Sequence, residues 1–152
     1  MRGGNKTGKS LLAATMVIDL AIREKKGKVP ICFINASKRI RELSDLSKFK
    51  NEEFKKKLEL YSTVPVLVID DFGHEYRTDF IRDGIISEII TSRCNKSLFT
   101  IFTSNFTLDQ IEILYGNSNP AGQIMASSIV NTIRTMCANN EEIDFGDLPL
   151  YK

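Results

Sequence analysis

The sequence contains few of the residues that build disulfide frameworks or zinc sites. Its three cysteines, Cys32, Cys94 and Cys137, are widely spaced, no CxxC pair occurs, and His74 is the single histidine. Disulfide scaffolds typically carry an even set of cysteines, and structural zinc sites carry paired ligands at short spacing, so the pattern argues against both. We therefore expect free thiols in a reducing, cytoplasmic setting.

Long apolar runs and a dominant sign of charge are also missing. The apolar runs are too short to span a bilayer, and the first residues lack the features of a secretory signal. This predicts no export and no membrane anchoring. The 21 Lys and Arg residues stand against 19 Asp and Glu, and the resulting net charge of +2 indicates no class of partner. A chain of 152 residues with 42% hydrophobic composition is the size of one globular domain.

The most informative segment that is present is GGNKTGKS, which fits the phosphate-binding pattern G-x-x-x-x-G-K-[ST] without a mismatch. In this pattern the glycines let backbone N–H groups surround the β-phosphate, Lys9 reaches the β- and γ-oxygens, and Ser10 offers a hydroxyl to Mg²⁺. A helix must follow at once, and residues 11–26 have a helical pattern that stops at Gly27. The residues predicted to bind ATP are Gly3, Gly4, Asn5, Lys6, Thr7, Gly8, Lys9 and Ser10. The alternative is a chance glycine-rich loop.

Short apolar runs alternate with helical patterns along the rest of the chain. Strands are predicted at residues 29–35, 64–70 and 97–103, with a short closing strand at 141–145. Helices are predicted at residues 38–61 (one or two), 79–93, 107–115 and 121–138. Strands that alternate with helices indicate an α/β fold with a parallel sheet, and together with the phosphate loop they predict a P-loop NTPase.

The strand that feeds a phosphate loop has no room in this sequence, because only Met1 and Arg2 precede Gly3. We therefore expect residues 1–152 to be a single domain that is a fragment of a longer protein and lacks its first core strand. Loss of that strand is expected to leave two unpaired strand edges inside the sheet.

Two predicted strands end in polar residues. VLVIDDFGHE, residues 66–75, delivers Asp70 and Asp71 to the edge where ligands bind in open α/β sheets. Asp70 is predicted to hold Mg²⁺ and Asp71 to polarise the attacking water, slowly because it is one methylene shorter than Glu. FTIFTSNF, residues 99–106, brings Asn105 beside them to hold the γ-phosphate or the water. The alternatives are a polar turn after the strand and an Asn105 that caps the next helix.

The order of GGNKTGKS, VPVLVIDDFGHE, IRD, IFTSNF and SIVNTIR resembles the AAA+ ATPase domain of bacterial replicative-helicase loaders of the DnaI and DnaC type. The DnaI branch is the more similar, and the resemblance covers essentially the whole chain. It implies Walker A at Lys9 and Ser10, Walker B at Asp70 and Asp71, and sensor 1 at Asn105. It further implies a homo-oligomer that binds ATP and Mg²⁺, assembles on single-stranded DNA and delivers the replicative helicase.

The sequence departs from this family at two points. The family's N-terminal helicase-binding domain is absent, which agrees with a fragment. Ser128 stands where the family usually has an arginine that acts on the ATP of the neighbouring subunit, and Arg134 remains in that helix. Arg134 is the predicted arginine finger, with a γ-phosphate sensor or a surface residue as alternatives. Arg93 and Arg82 are the substitutes.

Several functions and secondary sites stay open. The region from Lys38 to Lys57 has eight basic and four acidic residues. It is predicted to bind single-stranded DNA with Phe49 and Phe54 as stacking partners, unless both phenylalanines face the core.

His74 is predicted to serve the turn after Asp71 rather than catalysis. A small kinase would need a mobile lid that we do not find. A transposition-helper ATPase of the IstB-like superfamily and a non-hydrolysing interaction module remain as rivals.

Overall fold

The computed structural model describes residues 1–23, 29–49, 51–116, 119–137 and 143–146. The helices are α1 (Lys9–Arg23), α2 (Ala36–Phe49), α3 (Asn51–Thr63), a π-helix (Phe80–Ile86), α4 (Ser87–Asn95), α5 (Leu108–Gly116) and α6 (Pro120–Met136). The strands are β1 (Ile31–Asn35), β2 (Val66–Asp70) and β3 (Phe99–Phe102). They form a parallel sheet in the order β1-β2-β3. The predicted α/β class is confirmed, and each of the three predicted strands is present with narrower bounds.

The central strand β2 is buried on both faces, which explains its unbroken apolar run. Val66 and Val68 pack in a small cluster with Ala13 and Val17 of α1. Leu67 and Ile69, which alternate with them, belong to the larger cluster formed with the other helices. Because side chains alternate across a strand, β2 separates the two layers and holds its carboxyl end at a fixed place between them.

Residues 1–2 extend the sheet beyond β3. The amino group of Met1 donates to the carbonyl of Phe102 at 3.0 Å, and Arg2 forms parallel bridges to Ser104 on one side and Asp144 on the other. These bridges are isolated, and among the described residues no strand pairs with the outer edge of β3 along Phe99–Phe102, which agrees with a missing core strand. Asp144 forms an isolated bridge instead of the predicted closing strand, and residues 141–142 lie outside the described part of the chain.

The helix predicted over residues 79–93 is not a single α-helix. Its first part, Phe80–Ile86, is a π-helix with wider i→i+5 turns, and α4 continues from Ser87. Ile81, Arg82, Ile85 and Ile86 are the buried residues of this π-helix. Apolar spacing in the sequence does not distinguish the two helix types, so the prediction was correct for a helix and wrong for its geometry.

Arg93 is a buried structural residue rather than a substitute arginine finger. Its side chain is 0% exposed and donates to the carbonyls of Tyr61, Val64 and Phe99 at 2.9, 2.8 and 2.7 Å. Burial lowers the pKa of Arg93 to about 10, so the guanidinium stays charged at neutral pH. Arg82 is likewise buried, and it pairs with Asp79 and Asp83. Both guanidinium groups are therefore engaged by partners within the domain.

We expect Arg93→Met to lower the free energy of unfolding by about 3–5 kcal/mol, because it leaves three buried carbonyls without a donor. Arg93→Lys should lower the free energy of unfolding by less, since the lysine ammonium can still donate to some of the three carbonyls. Urea denaturation of both variants measures the difference. Arg23→Met is the matched control, because Arg23 is exposed and pairs with Asp19 at the surface. Equal unfolding midpoints for Arg93→Met and Arg23→Met would contradict the structural role.

Candidate nucleotide-binding site

The loop that connects Arg2 to α1 has the backbone shape of a phosphate cradle. Gly3, Lys6 and Gly8 have φ angles of 144°, 59° and 92°, a region that glycine adopts easily and other residues rarely. A Cβ at Gly3 would lie 2.7 Å from the carbonyl oxygen of Gly146, so no larger residue fits there. The chain turns directly into α1, whose N-terminal end carries partial positive charge.

Lys9 lies inside this loop. Its Nζ donates to the carbonyl oxygens of Gly3 and Gly4 at 2.8 and 2.6 Å, and the residue is 8% exposed. Burial lowers the pKa of the Lys9 ammonium, and the carboxylates of Asp70 and Asp71 partly oppose that shift. The loop thus holds a lysine amine at its centre, as the motif predicts.

Asp70 joins the loop to the sheet edge. Ser10 Oγ donates to Asp70 Oδ1 at 2.6 Å, and Thr103 Oγ1 donates to the same oxygen at 2.5 Å. The backbone N–H of Asp71 in turn donates to Thr103 Oγ1 at 3.0 Å. Three elements, α1, β2 and the end of β3, therefore converge on one carboxylate. Sequence reasoning assigned no role to Thr103, although it stands in the FTSNF segment.

The residues predicted to hold Mg²⁺ fit a hard cation. Hydroxyl and carboxylate oxygens are ligands that Mg²⁺ accepts, and it is usually bound through one or two protein oxygens together with phosphates and waters. Ser10 and Asp70 are such a pair. Within the described residues, no group of three or more His, Cys, Asp or Glu side chains could hold a metal ion by itself.

Asn105 links the loop to the turn that follows β2. Its Nδ2 donates to Asn5 Oδ1 at 2.8 Å and lies 3.0 Å from Nε2 of His74. His74 Nε2 is 3.6 Å from a carboxylate oxygen of Asp71. Asn105 therefore stands at the loop, as predicted. It does not cap α5, because Thr107 and Gln110 form that cap by exchanging hydrogen bonds of 2.9 and 3.1 Å.

His74 and Glu75 have positions that sequence reasoning missed. His74 contacts Asn105, whereas we had expected it to serve the turn only. Glu75 is 1% exposed, accepts a hydrogen bond from Gly73 N–H at 2.9 Å and accepts another from the Tyr115 hydroxyl. Burial raises the pKa of Glu75. The signal in the sequence was their place in the turn just after Asp71, at the carboxyl edge of the sheet.

Arg134 lies on α6 and faces α5. Its guanidinium pairs with Asp109 at 2.5 Å and lies 3.8 Å from Glu112, and its side chain is 43% exposed. It also donates to Asn131 at 3.2 Å. These partners belong to the two helices, so the structure leaves Arg134 half-exposed and paired rather than joined to the loop.

Four of the eight basic residues from Lys38 to Lys57 pair with acidic residues of the same region. Arg39 pairs with Glu42, Lys48 with Asp45, and Lys55 with Glu52. Lys57 pairs with both Glu42 and Glu53. Phe54 packs against the core and Phe80, so it is not available for stacking. Phe49, by contrast, is 86% exposed. Lys50 lies outside the described residues.

Among the described segments, none of the helices is both long and apolar enough to cross a bilayer. Cys32 and Cys94 carry free thiols, and all three cysteines are half-buried.

Comparisons with known proteins agree with the motifs. No protein-family model matches the chain. The replicative helicase loader DnaI of Bacillus subtilis (strain 168) is 26% identical over 133 residues, which cover 86% of this chain and 41% of that protein. A crystal structure of DnaI matches with a TM-score of 0.78 and 26% identity, over 95% of this chain and 70% of that one. The chain has the fold of a DnaI-like AAA+ domain.

A second solved structure supports this relationship. The DnaC helicase loader matches the AAA+ domain with a TM-score of 0.66 and 29% identity, over 97% of this chain and 76% of that one. The domain spans about two fifths of the length of the curated DnaI that it matches. The resemblance inferred from the motifs is thereby confirmed.

Proposed function

We propose that this AAA+ domain binds ATP with Mg²⁺, hydrolyses it slowly, and serves a loader that brings the replicative helicase to single-stranded DNA. The observation that carries the proposal is the 2.6 Å contact between Ser10 and Asp70, residues 60 positions apart in the chain, beside a loop filled by Lys9. Both motifs of a phosphate-binding ATPase thus meet at one place.

The residues have separate roles in this proposal. Lys9 supplies positive charge to the phosphates, and Ser10 and Asp70 hold the metal ion. When bound, Mg²⁺ neutralises charge on the phosphate oxygens. Asp71 polarises the attacking water, and Asn105 donates its amide to the terminal phosphate or to the water.

Efficient hydrolysis also needs an arginine near the terminal phosphate. Arg82 and Arg93 are buried in structural contacts, and Arg134 of α6 forms an ion pair with Asp109 of α5. We propose that Arg134 acts on the site of a neighbouring copy in a homo-oligomer. The half-exposed position of Arg134 supports this, because a new partner can replace Asp109 at the surface at low cost.

The partners are proposed from the loaders that the chain resembles. The proteins named as helicase loaders support a replicative helicase as partner, in the cytoplasm where replication takes place. Exposed Phe49, at the end of α2, supports single-stranded DNA binding in the region from Lys38 to Lys57. Phe54 does not support it.

A non-hydrolysing interaction module is the second candidate function. It is favoured by Asp71, whose carboxylate is one methylene shorter than that of the usual Glu, and by Ser128 at the position where the family has an arginine. In that case ATP would act as a ligand that orders the domain, without turnover.

The proposal is tested with the replicative helicase encoded by the same genome and a circular single-stranded DNA. Because helicase binding in this family uses an N-terminal domain, the assay uses the natural full-length protein that contains this AAA+ domain. We expect it to co-elute with the helicase when ATP and Mg²⁺ are present, and to lose the complex when ADP replaces ATP. Phosphate release measured on the same samples separates hydrolysis from binding alone. Complex formation without phosphate release would favour the interaction module. Absence of a complex with either nucleotide would contradict the loader function.

A further inference from the structure

Asn105 shares its amide between two neighbours, one on the phosphate loop and one on the turn after β2. We propose that His74 is a positioning residue that holds the Asn105 amide for the terminal phosphate and thereby sets the preference of the site for ATP over ADP. This inference deepens the proposed function and rests on ATP binding at the loop. No motif of the sequence assigns this role to His74.

The hydrogen-bond chemistry of the contact decides its direction. The Asn105 Nδ2 group carries two hydrogens, one for Asn5 Oδ1 at 2.8 Å and one for His74 Nε2 at 3.0 Å. An amide nitrogen only donates, so Nε2 accepts and the imidazole proton is assigned to Nδ1. With its proton on Nδ1, His74 favours this orientation of the Asn105 amide, because the carbonyl oxygen of a flipped amide would meet the lone pair on Nε2.

His74 is itself held from two sides. Its ring packs on Phe106 with a centroid separation of 4.7 Å, and its backbone N–H donates to the Asp71 carbonyl at 3.3 Å. The next residue, Glu75, is buried and bonded to Gly73 N–H and the Tyr115 hydroxyl. The turn that carries the imidazole is thus anchored to α5, and little side-chain freedom is left to lose when a ligand binds.

A bound nucleotide can replace one of the two hydrogen bonds of Asn105, the bond to Asn5, but not the bond to His74. Asn5 belongs to the phosphate loop and offers a neutral amide oxygen, whereas a terminal phosphate offers a charged acceptor that makes a stronger bond. ATP is expected to take the hydrogen now given to Asn5, while His74 keeps the other. ADP has no terminal phosphate and leaves the Asn5 bond in place. The His74 contact therefore favours ATP and is neutral for ADP.

Calorimetric titration of the full chain tests this with Mg²⁺ and either ADP or an ATP analogue that has a non-hydrolysable β–γ bridge. His74→Phe keeps a ring on Phe106 and removes the acceptor, whereas His74→Gln removes the ring and keeps an acceptor oxygen. We expect His74→Phe to lower the affinity for the ATP analogue roughly fivefold, which is the effect of one hydrogen bond, and to leave the affinity for ADP unchanged. His74→Gln should bind the ATP analogue with nearly the affinity of the parent chain. Tyr76→Ala is the matched control, since Tyr76 is 70% exposed two residues away.

A packing role for His74 predicts the opposite order, with His74→Gln impaired and His74→Phe normal, and that result would overturn the inference. A double-mutant cycle gives a second test. If His74 acts through Asn105, His74→Phe has no further effect on analogue affinity in an Asn105→Ala background. Additive losses would overturn the positioning role.

The failure of this inference can be told from the failure of the proposed function. If the parent chain binds neither nucleotide, ATP binding at the loop is wrong and the inference falls with it. If the parent binds both and His74→Phe lowers both affinities equally, or neither, only the inference is overturned. Thermal unfolding of each variant without nucleotide shows whether the fold is retained.

Discussion

Replacement of Lys9 with alanine is expected to weaken ATP binding at least about 100-fold. The ammonium lies 2.8 and 2.6 Å from two carbonyl oxygens of the loop, where it faces the phosphate cradle from within. Charge-assisted bonds to a phosphate are among the strongest in proteins, and loss of two of them accounts for a factor of this size. Calorimetric titration with Mg-ATP measures it.

The same change is visible in stability. ATP at a hundred times its dissociation constant should raise the free energy of unfolding of the parent by about 2.7 kcal/mol, and that of Lys9→Ala by far less. Lys96→Ala is the matched control, because Lys96 is an exposed lysine at the end of α4, outside the loop, and the substitution removes the same charge. Equal affinity of Lys9→Ala and Lys96→Ala for ATP would disprove the phosphate-loop assignment. Unfolding without ATP separates a loss of binding from a loss of fold.

Mixing two inactive variants is expected to restore ATP hydrolysis if Arg134 acts between subunits. Arg134→Ala keeps its own water-polarising Asp71, and Asp71→Asn keeps an intact Arg134. Some interfaces in the mixture then pair an intact site with an intact arginine. An arginine supplied by a neighbour is worth roughly 10³–10⁵ in rate. The recovered phosphate release should therefore be large compared with either variant alone.

This experiment needs proof of co-assembly and a control arginine. Light scattering with ATP and single-stranded DNA shows whether the mixture forms one oligomer. Arg23→Ala replaces Arg134→Ala in the control, because Arg23 is exposed on α1 and pairs only at the surface with Asp19; this variant should retain activity unmixed. An assembled mixture without recovery would rule out the action of Arg134 between subunits and leave it as a stabilising partner of Asp109.

The sequence by itself determined the phosphate loop, the helix behind it and the three strands of the sheet, of which β2 alone is buried along nearly its whole length. Each depends on residues that are close along the chain. Glycine at positive φ shapes the loop, and an unbroken apolar run predicts β2 because its side chains are buried on both faces. The polar residues at the ends of β2 and β3 followed from the rule that parallel strands bring their carboxyl ends to one edge.

Only the tertiary structure decided which side chains meet. Asn105 is 100 residues from Asn5 and 31 from His74, and no local pattern encodes contacts at such separations. Arg93 resembles a surface arginine near the end of an amphipathic helix, yet it is buried because two other segments, the end of α3 with the residue that follows it and the start of β3, present their carbonyls to it. The π-helix depends in the same way on neighbours. Local patterns set the backbone and the buried faces, whereas the pairing of polar groups depends on how the finished layers pack.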